Sequence, residues 1–233
     1  DKPVILFPGP DTVAIFEDFI GMVAGDTGAQ QLRYGTQFII GFSDTGQIVP
    51  KQGPAAPAST FANGVFRMTS SATSTQDPVA GCQSLNTPAN WKANQGQTES
   101  RKLRFGCRLK TNTLAGNTVF VGFTDSGGTE MPAYDTGAGI LTPAADYAGF
   151  IWSGEQGAAQ QVYRAVAGKA GVDQVAATGI TPVAGVYDAL EIDISPDGNV
   201  ATYYINGKSV AQITSAAITP TVALGAGIYR ANT

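Results

Sequence analysis

From Val186 to Ile213 the chain reads as three strands joined by two short turns, and no other stretch restricts its fold so tightly. Leu190, Ile192 and Ile194 alternate with Glu191 and Asp193, so an extended backbone sends the apolar set to one face and the acids to the other. Ser195-Pro196-Asp197-Gly198 follows: proline presets φ, and glycine accepts the positive φ that closes a tight turn. The next strand places Tyr203 and Ile205 on one face and Tyr204 on the other. Asn206-Gly207 is a two-residue hairpin signal leading into Ser209–Ile213. A meander with one apolar face must be covered by a second layer, so this segment alone points to a sheet-on-sheet fold.

The rest of the sequence agrees. Short runs rich in β-branched and aromatic residues predict strands over Thr12–Ile20, Gln37–Phe42, Gly64–Thr69, Lys102–Lys110, Asn117–Phe123, Tyr147–Ser153 and Gln160–Ala165. No sustained helical period occurs, and a single helical turn within Ala144–Phe150 is the most that is expected. Two regions read as irregular: a Pro-rich extended segment over 49–60 and a long polar loop region over 69–100, which either hides short strands or reaches out to a contact, with residues 1–15 as an N-terminal arm. The expected architecture is an all-β antiparallel two-sheet sandwich, with all 233 residues in one domain.

Charge and residue usage narrow the chemistry. Only 14% of residues are charged and the net charge is −4, so the chain lacks the basic footprint of a nucleic-acid binder. Arg104, Arg108 and Lys110 share the face of their strand that points away from the core, where solvated charge is the expectation. The absence of histidine removes Ser-His-Asp and Cys-His catalysis and His-based metal sites. Cys107 alternates in step with Leu103, Phe105 and Leu109 and reads as a buried free thiol, with a bridge to Cys82 as the alternative. No leader segment is visible and no apolar run is long enough to span a bilayer as a helix. A chain beginning at Asp1 instead of Met is expected to be processed, trimmed or part of a longer product.

The segments LRFGCRLKTNTLAGNTVFVGFTD (Leu103–Asp125) and LEIDISPDGNVATYYINGKSV (Leu190–Val210), with FEDFIG at Phe16–Gly21, resemble the concanavalin A-like, laminin-G-like jelly-roll domains of tailed-bacteriophage structural proteins. Such domains usually add a last strand beside the opening one, and here Thr221–Arg230 serves as that strand or the chain is incomplete. The resemblance implies a non-enzymatic virion component. The first expectation is a capsid decoration or cement protein on the capsid surface, made in the bacterial host cytoplasm. Its partners would be the major capsid protein lattice and copies of itself, a trimer matching lattice three-folds, without nucleic acid or membrane. The second expectation is a lectin-like carbohydrate-binding module of a tail fibre or receptor-binding protein. A glycoside hydrolase is the remote third.

Individual motifs bear on that reading. Jelly-roll glycosidases that cut β-glucans carry a strand reading E-I-D-I-x-E, whose two glutamates act as nucleophile and acid/base. Glu191-Ile192-Asp193-Ile194-Ser195-Pro196 matches the first two carboxylates, but Ser195 and Pro196 stand in place of the second glutamate, and neither can protonate a leaving oxygen. Glu191 and Asp193 therefore read as solvated or cross-strand charge, and no catalytic residue is assigned. Asp26-Thr27-Gly28, Asp44-Thr45-Gly46 and Asp135-Thr136-Gly137 spell the aspartic-protease triplet, but in Gly-rich polar context they read as turns. No cofactor is expected; Ca²⁺ is the one ion to weigh, because Asp125, Glu130 and Asp135 fall in one Gly-rich loop, where solvated acids are the alternative. Trp91, Tyr134, Trp152 and Tyr163 are the candidate interface or ligand contacts, with core packing as the alternative for each.

Overall fold

A computed structural model of the chain describes five strands in the N-terminal part by their backbone, residues 92–93, and most of 102–232. The strands in chain order are β1 Leu32–Tyr34, β2 Phe38–Phe42, β3 Gln47–Pro50, β4 Phe66–Thr69, β5 Val79–Ser84, β6 Leu103–Leu109, β7 Asn117–Thr124 and β8 Tyr134–Asp135. They continue with β9 Ile140–Leu141, β10 Tyr147–Ser153, β11 Arg164–Lys169, β12 Val172–Ala177, β13 Asp188–Ile194, β14 Ala201–Ile205, β15 Lys208–Ile213 and β16 Gly225–Asn232. No helix occurs among the described residues. An eight-stranded sheet runs β1-β2-β5-β16-β7-β10-β11-β12 and a four-stranded sheet runs β15-β14-β13-β6, with every pairing antiparallel. This is the all-β jelly-roll sandwich.

The expected meander is β13-β14-β15. Asn206 takes φ 53° and Gly207 φ 76°, the two positive values of a type I′ turn, and Gly198 closes the preceding turn at φ 69°. Leu190, Ile192, Ile194, Ala201, Tyr203 and Ile205 of this sheet are buried against Val119, Val121, Phe123, Ala148, Phe150 and Trp152 of the larger one. Tyr203 reaches across the core: its ring meets Phe150 edge-on at 5.3 Å, and its hydroxyl donates to the Val166 carbonyl at 2.7 Å.

β7 and β10 are buried along their whole length because the large sheet is covered on both faces. Its second face carries Phe120, Tyr147, Ile151, Val166 and Tyr229 beneath Met131, Ala133 and Ala144. One cross-strand row there reads Gly227, Gly122, Gly149 and Val166. The missing side chains make room for rings: a Cβ on Gly149 would lie 2.6 Å from the Phe120 ring, and one on Gly168 would lie 2.1 Å from Tyr147.

Several expectations are corrected. The helical turn at Ala144–Phe150 is absent, since Tyr147 already begins β10. The strand placed at Gln160–Ala165 runs instead over Arg164–Lys169 and turns back through Ala170 (φ 49°) and Gly171 (φ 79°) into β12. The polar region 69–100 does hide a short strand, β5, while β3 enters the Pro-rich segment at Val49-Pro50. The strand expected within Thr221–Arg230 is β16, seated between β5 and β7. The strand at Thr12–Ile20, the Phe16–Gly21 segment and the arm at 1–15 lie outside the described residues.

Candidate functional site: the outer face of the four-stranded sheet

Alternation along β6, β13 and β14 sends the polar residues of the small sheet to solvent. One cross-strand row reads Arg104, Asp193, Thr202 and Gln212; the next reads Gly106, Glu191, Tyr204 and Ser209. Arg104 grips Asp193 with two hydrogen bonds, Nε to Oδ1 at 2.5 Å and Nη2 to Oδ2 at 2.7 Å. That hydrogen-bonded pairing, with Glu191 and Tyr204 adding smaller electrostatic contributions, raises the Arg104 pKa against the opposing effect of burial. Gln212 donates to the Thr202 hydroxyl at 3.1 Å, so that row is tied along its length.

In the Gly106 row a Cβ at Gly106 would meet Glu191 Cγ at 3.5 Å, so the Glu191 side chain lies against the bare backbone of the edge strand, with Tyr204 on the other side of Glu191. Further along, Arg108 and Lys110 lie over the half-exposed Tyr187 ring at 5.4 and 4.8 Å from its centroid. The face thus offers a carboxylate, a phenol, a guanidinium–carboxylate pair and hydroxyl and amide groups, with little apolar surface between them.

The end of the β14–β15 hairpin is held from beneath. Buried Asp188 accepts from the Tyr163 hydroxyl at 3.1 Å and from Asn206 Nδ2 at 3.0 Å, while Asn206 Oδ1 accepts the Ala189 N–H at 2.9 Å. The opposite corner is pinned by Asp146, whose Oδ1 accepts the Thr219 N–H at 2.5 Å and whose Oδ2 accepts the Ala170 N–H at 3.3 Å. Nothing in the local sequence announces either carboxylate as structural.

Of the aromatic residues singled out from the sequence, Trp152 and Tyr163 are 2% and 4% exposed and pack between the sheets, the core placement weighed for each. Both sit on strands or strand ends with apolar neighbours on two faces, where the pattern of alternation cannot tell inside from outside. Trp91 and the Tyr134 side chain lie outside the described residues. The residues that sequence reasoning passes over are Tyr204, Tyr187 and Gly106; their positions opposite Glu191 and beside Arg108 are visible only once the strands are in register.

Of the acids weighed for Ca²⁺, Glu130 and the Asp135 side chain lie outside the described residues. Burial raises the Asp125 carboxyl above the usual range, opposed by the Asp146 backbone N–H and reinforced by the Asp146 charge. Among the described residues no group of three or more Cys, Asp or Glu side chains is gathered as a metal site. Cys107 is a free thiol, partly buried against the core, and desolvation pushes it up to about 12.

No protein-family model matches the sequence, and no curated protein matches it. Among solved structures, LamAcat from Zobellia galactanivorans is 11% identical with a TM-score of 0.47, covering 96% of this chain and 88% of that one. The Bacillus licheniformis β-glucanase is 12% identical with a TM-score of 0.42, covering 92% and 82%. The carbohydrate-binding module CBM66 from Bacillus subtilis is 10% identical with a TM-score of 0.37, covering 66% and 74%. At these identities and TM-scores the likeness concerns a sandwich fold and nothing finer.

The expected role as a phage capsid decoration protein is corrected here. The similar structures are named as a glucanase, a glycosidic hydrolase and a carbohydrate-binding module, and nothing indicates a virion origin. The reason is physical: the motifs that carried the phage resemblance are register, turn and core residues. Asn206-Gly207 makes a hairpin, and Val119, Val121 and Phe123 fill the interior. Such residues specify a sandwich, wherever the sandwich is used.

Proposed function

We propose that the outer face of the four-stranded sheet binds a carbohydrate chain and does not cleave it. The observation that carries this reading is the Gly106–Glu191–Tyr204 row, where a carboxylate stands between the bare backbone of the edge strand and a phenol on a solvent-facing sheet. Sugars are recognised by planar polar groups that accept and donate to adjacent hydroxyls, and by aromatic surfaces that lie against the C–H faces of the ring. Groups fixed on strands lose little freedom on binding, which favours affinity.

The non-catalytic half of the proposal rests on the carboxylates. Retaining hydrolysis needs two of them about 5–5.5 Å apart, one free to protonate the leaving oxygen and one free to attack. Asp193 is held in both its oxygens by Arg104. Ser195-Pro196 stand in place of the second glutamate, and Ser195 caps its own turn: its hydroxyl donates to Asp197 and accepts the Val200 N–H.

A glycan array followed by calorimetry and a reducing-end release assay tests the proposal. The expected result is saturable binding with Kd at or below about 1 mM, equivalent to about −4 kcal/mol, and no released product. Binding with release that is lost in Glu191→Gln would replace the binding module with a hydrolase. An empty array would remove the proposal.

A further inference from the structure

Charge on the outer face of the four-stranded sheet runs against the balance of the whole chain, whose net charge is −4. The edge strand β6 and the residues flanking it present Lys102, Arg104, Arg108 and Lys110, against the carboxylates of Glu191 and Asp193 on β13. Asp193 is taken up by Arg104, and Asp188, at the start of β13, is buried and bound to Tyr163 and Asn206. Arg108 is exposed, and among the described residues it makes no ion pair. It lies over the Tyr187 ring, which Lys110 also covers, and an aromatic face holds a cation without neutralising it.

We infer that the carbohydrate recognised on this face is an anionic one, with a carboxylate or sulfate group on Arg108 and sugar hydroxyls on Glu191. The inference rests on the carbohydrate reading and narrows it to a substrate class. Arg108 pairs with Ala189 and Gly106 with Glu191, so the guanidinium and the carboxylate lie in successive outward rows, about 7 Å apart along the strand. The two groups call for opposite partners. A guanidinium only donates, in a planar fork that fits the paired oxygens of an acid group, whereas an ionised carboxylate only accepts and is matched by hydroxyls.

A neutral glycan satisfies Glu191 and leaves Arg108 without an anion. A nucleic acid carries a phosphate at every step of its backbone and would set some of that charge against Glu191, which is unfavourable. An acid-bearing sugar chain offers an anion and free hydroxyls on neighbouring units, so it meets both rows at once. Because Arg108 is exposed, its attraction for the anion is screened by salt.

An array printed with uronate, sulfated and neutral oligosaccharides tests the inference, followed by calorimetry of the strongest acidic hit and of its methyl-esterified or desulfated counterpart. The acidic form should bind about tenfold more tightly than the neutral one at low salt, the equivalent of about 1.4 kcal/mol, and added salt should shrink the ratio. Arg108→Gln should bring the two affinities together by weakening the acidic form alone, and Arg108→Lys should keep most of the difference. Lys169→Gln, which removes the same charge from β11 of the large sheet, should leave the ratio unchanged. Circular dichroism checks that each variant is folded; the wild-type ratio and its salt dependence carry the test if one is not. Equal affinity for the two forms, or selectivity that survives Arg108→Gln, overturns the inference and leaves carbohydrate binding standing. An oligonucleotide bound as tightly as the acidic glycan overturns it in favour of a general anion surface, and an empty array removes both readings.

Discussion

Gly168→Ala adds a single methyl group and should destabilise the protein measurably, because the space above Gly168 is already filled. A Cβ there would lie 2.1 Å from Tyr147 Cε1, 2.6 Å from Cδ1 and 2.9 Å from Cζ. Carbon atoms in contact normally sit about 3.5–4.0 Å apart, so the ring would have to retreat by roughly 1.5 Å. Tyr147 has nowhere to go: it is fully buried, meets Phe120 edge-on at 6.3 Å, and is tethered through its hydroxyl to Asp173 at 2.8 Å. Overpacking of this kind costs about 1–3 kcal/mol. Loss of a hydrogen bond to a charged group adds about 1.5–3 kcal/mol if the ring breaks its tether to move. Against this, alanine restricts the unfolded chain and returns about 0.4–1 kcal/mol. The net expectation is about 2 kcal/mol of destabilisation, which for a domain of this size lowers Tm by roughly 4–8 °C. Urea unfolding of the wild type, Gly168→Ala, Tyr147→Leu and the double variant closes a cycle that isolates the clash. The alanine should cost much less in the Tyr147→Leu background than beside the native tyrosine. A Gly168→Ala protein as stable as the wild type, or an equal cost in both backgrounds, would refute the packing argument.

Two more expectations follow from the core and the hairpin. Raising the pH from 9.0 towards 12 should destabilise the protein. The neutral Cys107 thiol is favoured by the fold, with its pKa moved from 9.0 to about 12, so its contribution is complete below pH 9.0 and lost as pH rises through that window. Burial raises the Tyr147, Tyr163 and Tyr203 phenols as well, so denaturant midpoints that hold level across this range would contradict the desolvated interior. Gly207→Val should cost about 1–2 kcal/mol from backbone strain alone, since φ is 76° and no atom lies within 4 Å of the added Cβ. Thermal stability unchanged in that variant would sink the type I′ assignment.

What can be read from the sequence is whatever depends on neighbours in the chain. Alternation in Leu190–Ile194, the Asn206-Gly207 turn and the unbroken apolar runs of β7 and β10 carry their own periodicity. β12 escapes such reading because its turn uses Ala170 at φ 49°, a place where asparagine or glycine would announce a hairpin, and because its residues are small and half polar. β5, Val-Ala-Gly-Cys-Gln-Ser, is hidden among polar residues for the same reason. The acids of β13 are surface charge, as their alternation implies. The partner of Asp193 is Arg104, 89 residues earlier in the chain, and only the pairing of β6 with β13 brings them together. Trp152 and Tyr163 can be read from the sequence as core or as contacts, and packing between the two sheets puts both in the core.

The most direct test of the carbohydrate reading is where a bound sugar touches the protein. Amide chemical shifts would be followed while the best oligosaccharide from the array is titrated into the 24.0 kDa protein. The account predicts perturbations concentrated on Gly106, Arg108, Glu191, Asp193, Tyr204 and Ser209, abolished by Tyr204→Ala in a variant that keeps its fold. Perturbations centred elsewhere, such as the Asp125–Asp146 corner, or binding that survives Tyr204→Ala unchanged, would contradict it.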